Sequence, residues 1–362
     1  MHIPDGYLSP STCAVAFLIA MPFWWVAQRR VHHMLHTRLV PLLAVVSAFS
    51  FVIMMFNLPL PGGTTGHAVG MAVAAIVLGP WAAILAISVA LFIQAVFFGD
   101  GGITAIGANC VNMAIVGPLV AYGLYRLIAA GSQITAKRRV VAAAIAGYVA
   151  INISALLAAV EFGIQPLLFT DPVGTPLYAP YTLSVAVPAM LLGHLTFAGI
   201  AEAVISGGIV AYLQKANPDL LRFTAPPSAA LPSPAMQGGW RPVRALWLGM
   251  TLIMLLSPLG LLAVGTAWGE WGAGDFQDAA ARAEITRASG DVAPPAGIPS
   301  GMQRLEALWT APVPDYAPSF MQNASVGYIL SAVMGSGLIL LMFYLLTRLF
   351  SPLGYRRFTG RH

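Results

Sequence analysis

The residues best placed for chemistry are the first two, Met1 and His2. A free α-amino group, the backbone nitrogen between residues one and two, and Nδ1 of the His2 ring can bind one metal ion together, because the chelate closes a five-membered and a six-membered ring with little strain. Three nitrogens in one plane suit Ni(II) or Cu(II), which favour square-planar nitrogen coordination. The best supplier of a fourth nitrogen is His67, in the proline- and glycine-rich loop at 58–67. The bulk of His2 predicts that Met1 is retained.

Local sequence supports this hypothesis and also offers ordinary alternatives. Pro4-Asp5-Gly6 is typical of a turn, which would fold the terminus back toward the membrane. The alternative is a frayed N-terminus. His67 is expected to open a short helix, where a lone histidine more often caps or packs than binds a metal. The glycine-rich loop at 98–109 is expected to pack over the site, with Asn109 and Asn112 bonding loop backbone.

Two ionisable residues, His194 and Glu202, lie inside an apolar run near the middle of the chain. An ionisable group within a membrane span is a functional candidate. It could belong to a membrane metalloenzyme, or Glu202 could be the proton site of a secondary transporter. A buried structural hydrogen-bond pair remains the ordinary alternative. No catalytic residue is assigned, because the motifs of P-loop nucleotide binding, zinc proteases and serine hydrolases are all missing from the sequence.

Composition indicates a polytopic membrane protein with all-α architecture. The chain has 362 residues, of which 58% are hydrophobic and only 9% charged, whereas soluble proteins carry about 25% charged residues. Asp5 and the lack of a basic leading segment argue against a cleaved signal peptide, so the first span is expected to stay attached. The net charge of +5 is spread by membrane side rather than clustered, which excludes a nucleic-acid surface.

Nine apolar runs are long enough to cross, or nearly cross, a bilayer. They lie at roughly 11–27, 40–57, 67–79, 81–98, 108–128, 140–162, 181–213, 243–265 and 324–347. The run at 67–79 is short and ends at Gly79-Pro80, which suggests a half-depth helix. With the N-terminus outside, every Lys and Arg reaches the cytoplasm except Arg282, Arg287 and Arg304. The sequence therefore predicts an outer N-terminus in a cytoplasmic (inner) membrane, surrounded by lipid.

A change of composition divides the chain into three parts. Residues 1–223 form a seven-span unit. Residues 224–239 are rich in Pro, Ser and Ala, which is typical of a linker, here on the cytoplasmic side. Residues 240–362 form a two-span unit with an external loop at 266–322 that carries most of the acidic residues. This layout is typical of two polypeptides fused into one.

Three motifs resemble those of one known family. Met1–Ser9, Pro61–His67 and Gly101–Asn109 occur in the order found in the substrate-capture (S) component of energy-coupling-factor nickel and cobalt transporters, the NikM/CbiM family. The resemblance covers roughly residues 1–215. Residues 240–362 resemble the two-span companion subunit, NikN/CbiN-like, by layout more than by motif. The form of the Pro61–His67 loop is similar to that of the nickel branch.

The resemblance implies a fold, a site and partners. The fold is a bundle of seven helices with the ion near the outer face, held by the amine of Met1, the backbone nitrogen and ring of His2, and the ring of His67. Ni(II), or Co(II) by the same mechanism, would be the transported substrate, without an organic cofactor. Transport would need a transmembrane coupling (T) subunit and cytoplasmic ATPases on separate chains, so the chain itself would not be an enzyme.

Overall fold

The computed structural model describes residues 1–35, 40–224 and 241–350, and these are mostly helical. Their α-helices are α1 Pro10–Leu35, α2 Val40–Met54, α3 Met71–Leu78, α4 Pro80–Ile93, α5 Ile106–Asn109, α6 Gly117–Ile128, α7 Lys137–Gly163, α8 Gln165–Leu168, α9 Leu183–Gly193, α10 Gly199–Ala216, α11 Arg241–Leu256, α12 Ala279–Ala288, α13 Ser300–Glu306 and α14 Ala324–Phe350. Two short strands, β1 Leu58–Leu60 and β2 Thr64–Gly66, pair antiparallel. The predicted 224–239 linker lies outside the described residues, apart from Thr224.

Several helices continue through segments of different pitch. The π-helical segments Gln94–Phe98, Cys110–Val116 and His194–Ala198 extend α4, join α5 to α6, and join α9 to α10. Segments of 3₁₀ helix cover Pro218–Thr224, Ser257–Leu262, Ala273–Phe276 and Pro314–Tyr316. A π-helical turn widens the spacing of side chains and is often found near functional sites.

The predicted all-α membrane architecture is confirmed. Six helical stretches among the described residues are long and apolar enough to cross a membrane: Pro10–Val31, Pro80–Phe98, Ile106–Ile128, Lys137–Leu168, Leu183–Ala216 and Ala324–Arg348. Two shorter apolar helices, Val40–Met54 and Leu246–Leu262, match two further predicted runs. The predicted run at 67–79 corresponds to α3, whose 8 residues rise only about 12 Å, well short of the ~30 Å of a hydrocarbon core.

Helix α3 lies at the centre of the first unit and is buried on all sides. All eight of its residues are buried, and it packs on α4, α6 and α7. The helix contains only Ala, Val, Ile, Leu and Met, so it has no polar face to present to water. Gly70 precedes it with φ of 78°, a left-handed conformation that glycine adopts without steric cost. The segment that enters α3 is therefore enclosed in the bundle.

The loop that carries His67 differs from the prediction of a helix start. Residues 58–66 form the β1–β2 hairpin, with Leu58 opposite Gly66 and Leu60 opposite Thr64. His67 follows the second strand and lies four residues before α3 begins. Gly62 and Gly63, at the tip, have φ of 89° and 82°, which fits their place in a tight turn. His67 thus lies in the segment between the second strand and α3 rather than at a helix start.

The second unit packs against the first through both its helices and its external segment. Helices α11 and α14 contact α2. The Tyr328 hydroxyl donates a hydrogen bond of 2.9 Å to the Met55 carbonyl. In the external segment, Val313 N donates to the Phe97 carbonyl at 3.0 Å and Trp309 Nε1 donates to the Val96 carbonyl at 3.0 Å. These bonds place residues 309–316 over the π-helical segment that extends α4.

Candidate metal centre

The first nine residues are tied into the bundle rather than frayed. Met1, His2 and Ile3 are buried. The Asn109 side chain brackets Ile3, because its Oδ1 accepts from Ile3 N at 2.8 Å and its Nδ2 donates to the Ile3 carbonyl at 3.1 Å. Gly6 turns the chain with φ of 88°. The terminus is therefore held in one place by contacts more than 100 residues away in sequence.

The carboxylate of Asp5 joins the terminal turn to the glycine-rich loop. Its Oδ2 accepts from Ile103 N at 3.0 Å, and its Oδ1 accepts from Thr104 N at 2.8 Å and from the Thr104 hydroxyl. Gly102 N donates to the Ile3 carbonyl at 2.8 Å from the same side. The loop at 98–109 thus packs over the terminus, as the sequence predicts. Asn109 and Asn112 differ from the prediction that both bond loop backbone, because Asn109 bonds the backbone of Ile3 and Asn112 Nδ2 donates to Glu161 at 2.6 Å.

Gly102 offers a test of how closely the terminus must fit. A Cβ atom at this position would lie 2.3 Å from Asp5 N and 2.6 Å from the Pro4 carbonyl carbon, both backbone atoms. We expect Gly102→Ala to displace the terminus and to weaken the Ni(II) binding that the sequence predicts there. Overpacking of this kind costs about 1–3 kcal/mol, which corresponds to roughly tenfold to a hundredfold in affinity. Calorimetric titration of the purified full chain measures the change.

Gly123→Ala is the matched control for this substitution. Gly123 lies in α6, and a Cβ atom there would meet nothing within 4 Å. The control should keep the native affinity. Equal affinity in the Gly102→Ala chain would mean that the position of the terminus does not matter for metal binding.

The rings of His2 and His67 face each other through one nitrogen each. His67 Nε2 lies 3.2 Å from His2 Nδ1, and the ring centroids are 4.9 Å apart. His67 Nδ1 lies 3.1 Å from the Ala68 carbonyl, which can only accept, so Nδ1 carries the proton and Nε2 presents a lone pair. Burial, and then the charges of His2 and the terminal amine, hold the pKa of His67 well below its ordinary value. His67 is therefore neutral, as a metal ligand must be.

The separation of these two nitrogens suits neighbouring corners of a square plane. Nitrogen ligands about 2.0 Å from a metal stand roughly 2.8 Å apart when they are adjacent in the plane. The chelate of Met1 and His2 would fill three successive corners, so the fourth ligand must be adjacent to both the amine and the His2 ring. The 3.2 Å between His2 Nδ1 and His67 Nε2 is close to this value. The approach of these two nitrogens is therefore compatible with both histidines binding one ion.

Two carboxylates lie close to the Met1 amine and the His2 ring. Asp100 Oδ1 lies 2.9 Å from His2 Nδ1, and Glu270 Oε1 lies 2.8 Å from the Met1 amine. Burial alone would raise the pKa of Asp100, but the ion pair with His2 outweighs it and holds that pKa well below its usual value. Neither residue was singled out from the sequence. Asp100 sits between the glycines of the 98–109 loop, which is the one signal that could have singled it out.

The interior residues His194 and Glu202 have separate partners. His194 Nδ1 donates to the Met190 carbonyl at 2.8 Å, one turn earlier in its own helix. Glu202 accepts two hydrogen bonds through Oε2, from Val69 N and Gly70 N, each of 2.8 Å. Glu202 is thus directed at the segment just after His67. Within residues 1–35, 40–224 and 241–350, no three His, Cys, Asp or Glu side chains come together as a metal-binding group.

Known proteins similar to this chain are metal transport proteins. The family model for CbiM, the cobalt uptake substrate-specific transmembrane region, matches residues 2–220, and the PDGLE domain model matches residues 241–352. The fused nickel transport protein NikMN of Rhodobacter capsulatus is 59% identical over 94% of this chain and 95% of its own length. The cobalt transport protein CbiM of Geobacter sulfurreducens is 30% identical over 75% and 74%. A crystal structure of a transition metal transporter, 53% identical, superposes with a TM-score of 0.57 over 62% of this chain and 98% of that one.

Proposed function

The chain belongs to the CbiM family, the cobalt uptake substrate-specific transmembrane region, and we propose on that premise that it captures Ni(II) at the outer face of the cytoplasmic membrane. It is a multi-pass membrane protein of a family that transports nickel and cobalt. The proposed ligands are the amine of Met1, the backbone nitrogen and Nδ1 of His2, and Nε2 of His67. The observation that supports them best is the 3.2 Å approach of His67 Nε2 to His2 Nδ1 beside the buried amine.

The chemistry of the donors favours nickel over cobalt. Four nitrogens in a plane, one of them a deprotonated amide, suit the square-planar preference of Ni(II). The R. capsulatus relative carries nickel in its name and is the more similar of the two relatives described above. Co(II) uptake by the same mechanism is the alternative, and the cobalt family model supports it. Competition between the two ions for the purified chain separates the alternatives, because a nickel site should exclude cobalt at equal concentration.

Movement of the ion across the membrane is proposed to need other subunits. In this proposal the chain is the substrate-binding component of an energy-coupling-factor transporter and hydrolyses no ATP itself. A transmembrane coupling subunit and cytoplasmic ATPases would reorient the bundle after capture. The support is the resemblance of the three sequence motifs to that transporter class. Uptake of radioactive nickel by cells should therefore require the chain and all of these subunits together.

Proton competition tests the proposed capture site directly. The Ni(II) affinity of the full chain should fall as the pH is lowered from about 8 to 6, because the amine and amide must lose protons to bind the metal. His67 should not add to this fall, since its pKa is held well below its ordinary value and its ring is already neutral. Calorimetric titrations at several pH values measure the slope of log affinity against pH.

The His67→Ala chain is the control for this pH series. Its binding should be weaker at every pH but should show the same slope. A slope smaller by one proton per metal ion would mean that His67 is protonated before the metal binds, which contradicts the arrangement. A native affinity that does not change with pH would contradict the chelate as a whole.

A further inference from the structure

The second unit contacts Met1 directly and reaches His2 through Asp100, a residue of the first unit. Glu270, in its external segment, lies 2.8 Å from the Met1 amine. Tyr316, farther along the same segment, donates its hydroxyl to Asp100 Oδ2 at 2.5 Å, and Asp100 Oδ1 pairs with His2 Nδ1 at 2.9 Å. Each of the first two residues is thus linked to residues 241–350 through a carboxylate.

The position of Tyr316 is held by a specific local structure. Asp315 and Tyr316 have φ of 53° and 59°, a left-handed conformation that side chains other than glycine adopt rarely. The Tyr316 ring stacks on Phe98 with centroids 4.8 Å apart, and its hydroxyl accepts from Gln94 Nε2 at 2.9 Å. Ser331 Oγ donates to the Tyr316 carbonyl at 2.8 Å. These contacts maintain an unfavourable backbone conformation that brings the hydroxyl to Asp100.

The charges at the proposed site suggest roles for the carboxylates of Glu270 and Asp100. A divalent ion bound by one amide anion and three neutral nitrogens retains one positive charge, and a buried charge needs a partner. A metal-bound amine keeps two N–H groups, so it can donate to Glu270 while its lone pair binds the metal. Carboxylates that accept hydrogen bonds from metal ligands fix the orientation of those ligands. Glu270 is placed for both tasks, whereas Asp100, which lies 2.9 Å from the metal-binding Nδ1 of His2, is placed to supply counter-charge.

We propose that the second unit completes the outer sphere of the capture site through Glu270 and Tyr316. Glu270 orients the amine of Met1 and supplies counter-charge to the bound ion. Tyr316 holds the Asp100 carboxylate beside Nδ1 of His2, where the carboxylate supplies counter-charge to the ion. Both are positioning residues that act through other groups. The inference rests on the proposed function, because it takes the nitrogens of Met1, His2 and His67 as the metal site.

The first experiment measures Ni(II) binding to the purified full chain by calorimetry, with the absorbance of square-planar Ni(II) recorded in parallel. Removal of outer-sphere partners typically costs about 10–100-fold in metal affinity. We therefore expect about a tenfold weaker affinity for Glu270→Gln, and a smaller loss for Tyr316→Phe, which keeps the stacked ring. Asp291→Asn is the matched control, because it removes one exposed carboxylate from the same external segment. Its affinity should equal that of the native chain.

A second background separates an action through the amine from a general structural effect. One alanine added before Met1 moves the amine away from Glu270. In that background Glu270→Gln should cause no further loss of Ni(II) affinity. The loss that the same substitution causes in the native background can then be assigned to the contact between Glu270 and the amine. Equal losses in both backgrounds, or no loss in the native one, would overturn the inference. A native chain that binds no Ni(II) would overturn the proposed function and the inference together.

Discussion

Replacing His67 with alanine is expected to lower the Ni(II) affinity of the full chain by at least a hundredfold. The expected loss exceeds the roughly 10–100-fold typical of outer-sphere partners, because one of the four proposed metal ligands disappears. His67 is buried, and its Nε2 faces His2 Nδ1 at 3.2 Å. Water would have to replace a neutral imidazole in the plane. Calorimetry measures the affinity, and the absorbance of square-planar Ni(II) reports whether the coordination changes.

A single alanine inserted after Met1 makes this prediction specific. The insertion moves the histidine to position three while keeping every type of ligand. A free amine with a histidine at position three can bind Ni(II) through four nitrogens by itself, so the affinity of this chain should not depend on His67. In the native chain, by contrast, the affinity should depend on His67. If His67→Ala weakens both chains alike, the terminus is not a chelator and the proposed site is wrong.

Substitution of Glu202 should separate capture at the outer face from proton-coupled transport. Glu202→Ala removes the acceptor of Val69 N and Gly70 N, two and three residues after His67. A buried N–H left without a partner costs about 1–3 kcal/mol, and two such groups would release the loop that holds His67. We expect nickel uptake by cells to be nearly lost and Ni(II) affinity to fall by about tenfold to a hundredfold.

Glu202→Gln is the informative partner of that substitution. Both hydrogen bonds go to Oε2, and Oε1 is buried with no partner among the described residues. The glutamine oxygen can therefore accept both bonds, with its amide group in the place of Oε1. We expect most of the uptake to remain. A secondary transporter that uses Glu202 as its proton site would instead lose uptake in Glu202→Gln, and the purified chain would accumulate nickel in vesicles under a proton gradient alone.

Glu202→Ala, together with His2→Ala, also tests the membrane metalloenzyme hypothesis. A metal held by His194 and Glu202 would be lost in Glu202→Ala and kept in His2→Ala. The capture site requires the opposite order, with the larger loss in His2→Ala. His194 Nδ1 is already bonded to the Met190 carbonyl, and Glu202 is directed at Val69 and Gly70. Both contacts favour a structural role for these residues.

The membrane helices could be predicted, and a ligand set could be proposed, because both depend on local sequence. A histidine at position two defines a chelate whatever the fold, and long apolar runs form helices in a bilayer. Topology then placed His67 on the same face as His2. The all-α membrane architecture is confirmed, whereas the three ligands stay a prediction supported by the geometry.

The contacts around the ligands could not be predicted because they join distant parts of the chain. Glu270 lies 269 residues from Met1, and Tyr316 lies 216 residues from Asp100. Nothing near either residue in sequence indicates its partner. The hairpin that precedes His67 was also missed, since a proline- and glycine-rich loop before an apolar run is equally typical of a helix start. It forms because Gly62 and Gly63 turn the chain between two short strands.

The burial of the first three residues limits how the protein can be engineered. With Met1 at 2% exposure and its amine paired to Glu270, a peptide attached ahead of Met1 cannot be accommodated without withdrawing the terminus. An affinity tag at that end would convert the primary amine into an amide and remove one metal donor. Tags and reporter fusions therefore belong elsewhere than ahead of Met1. Preparations purified through an amino-terminal tag should bind nickel only after a protease has restored Met1 as the first residue.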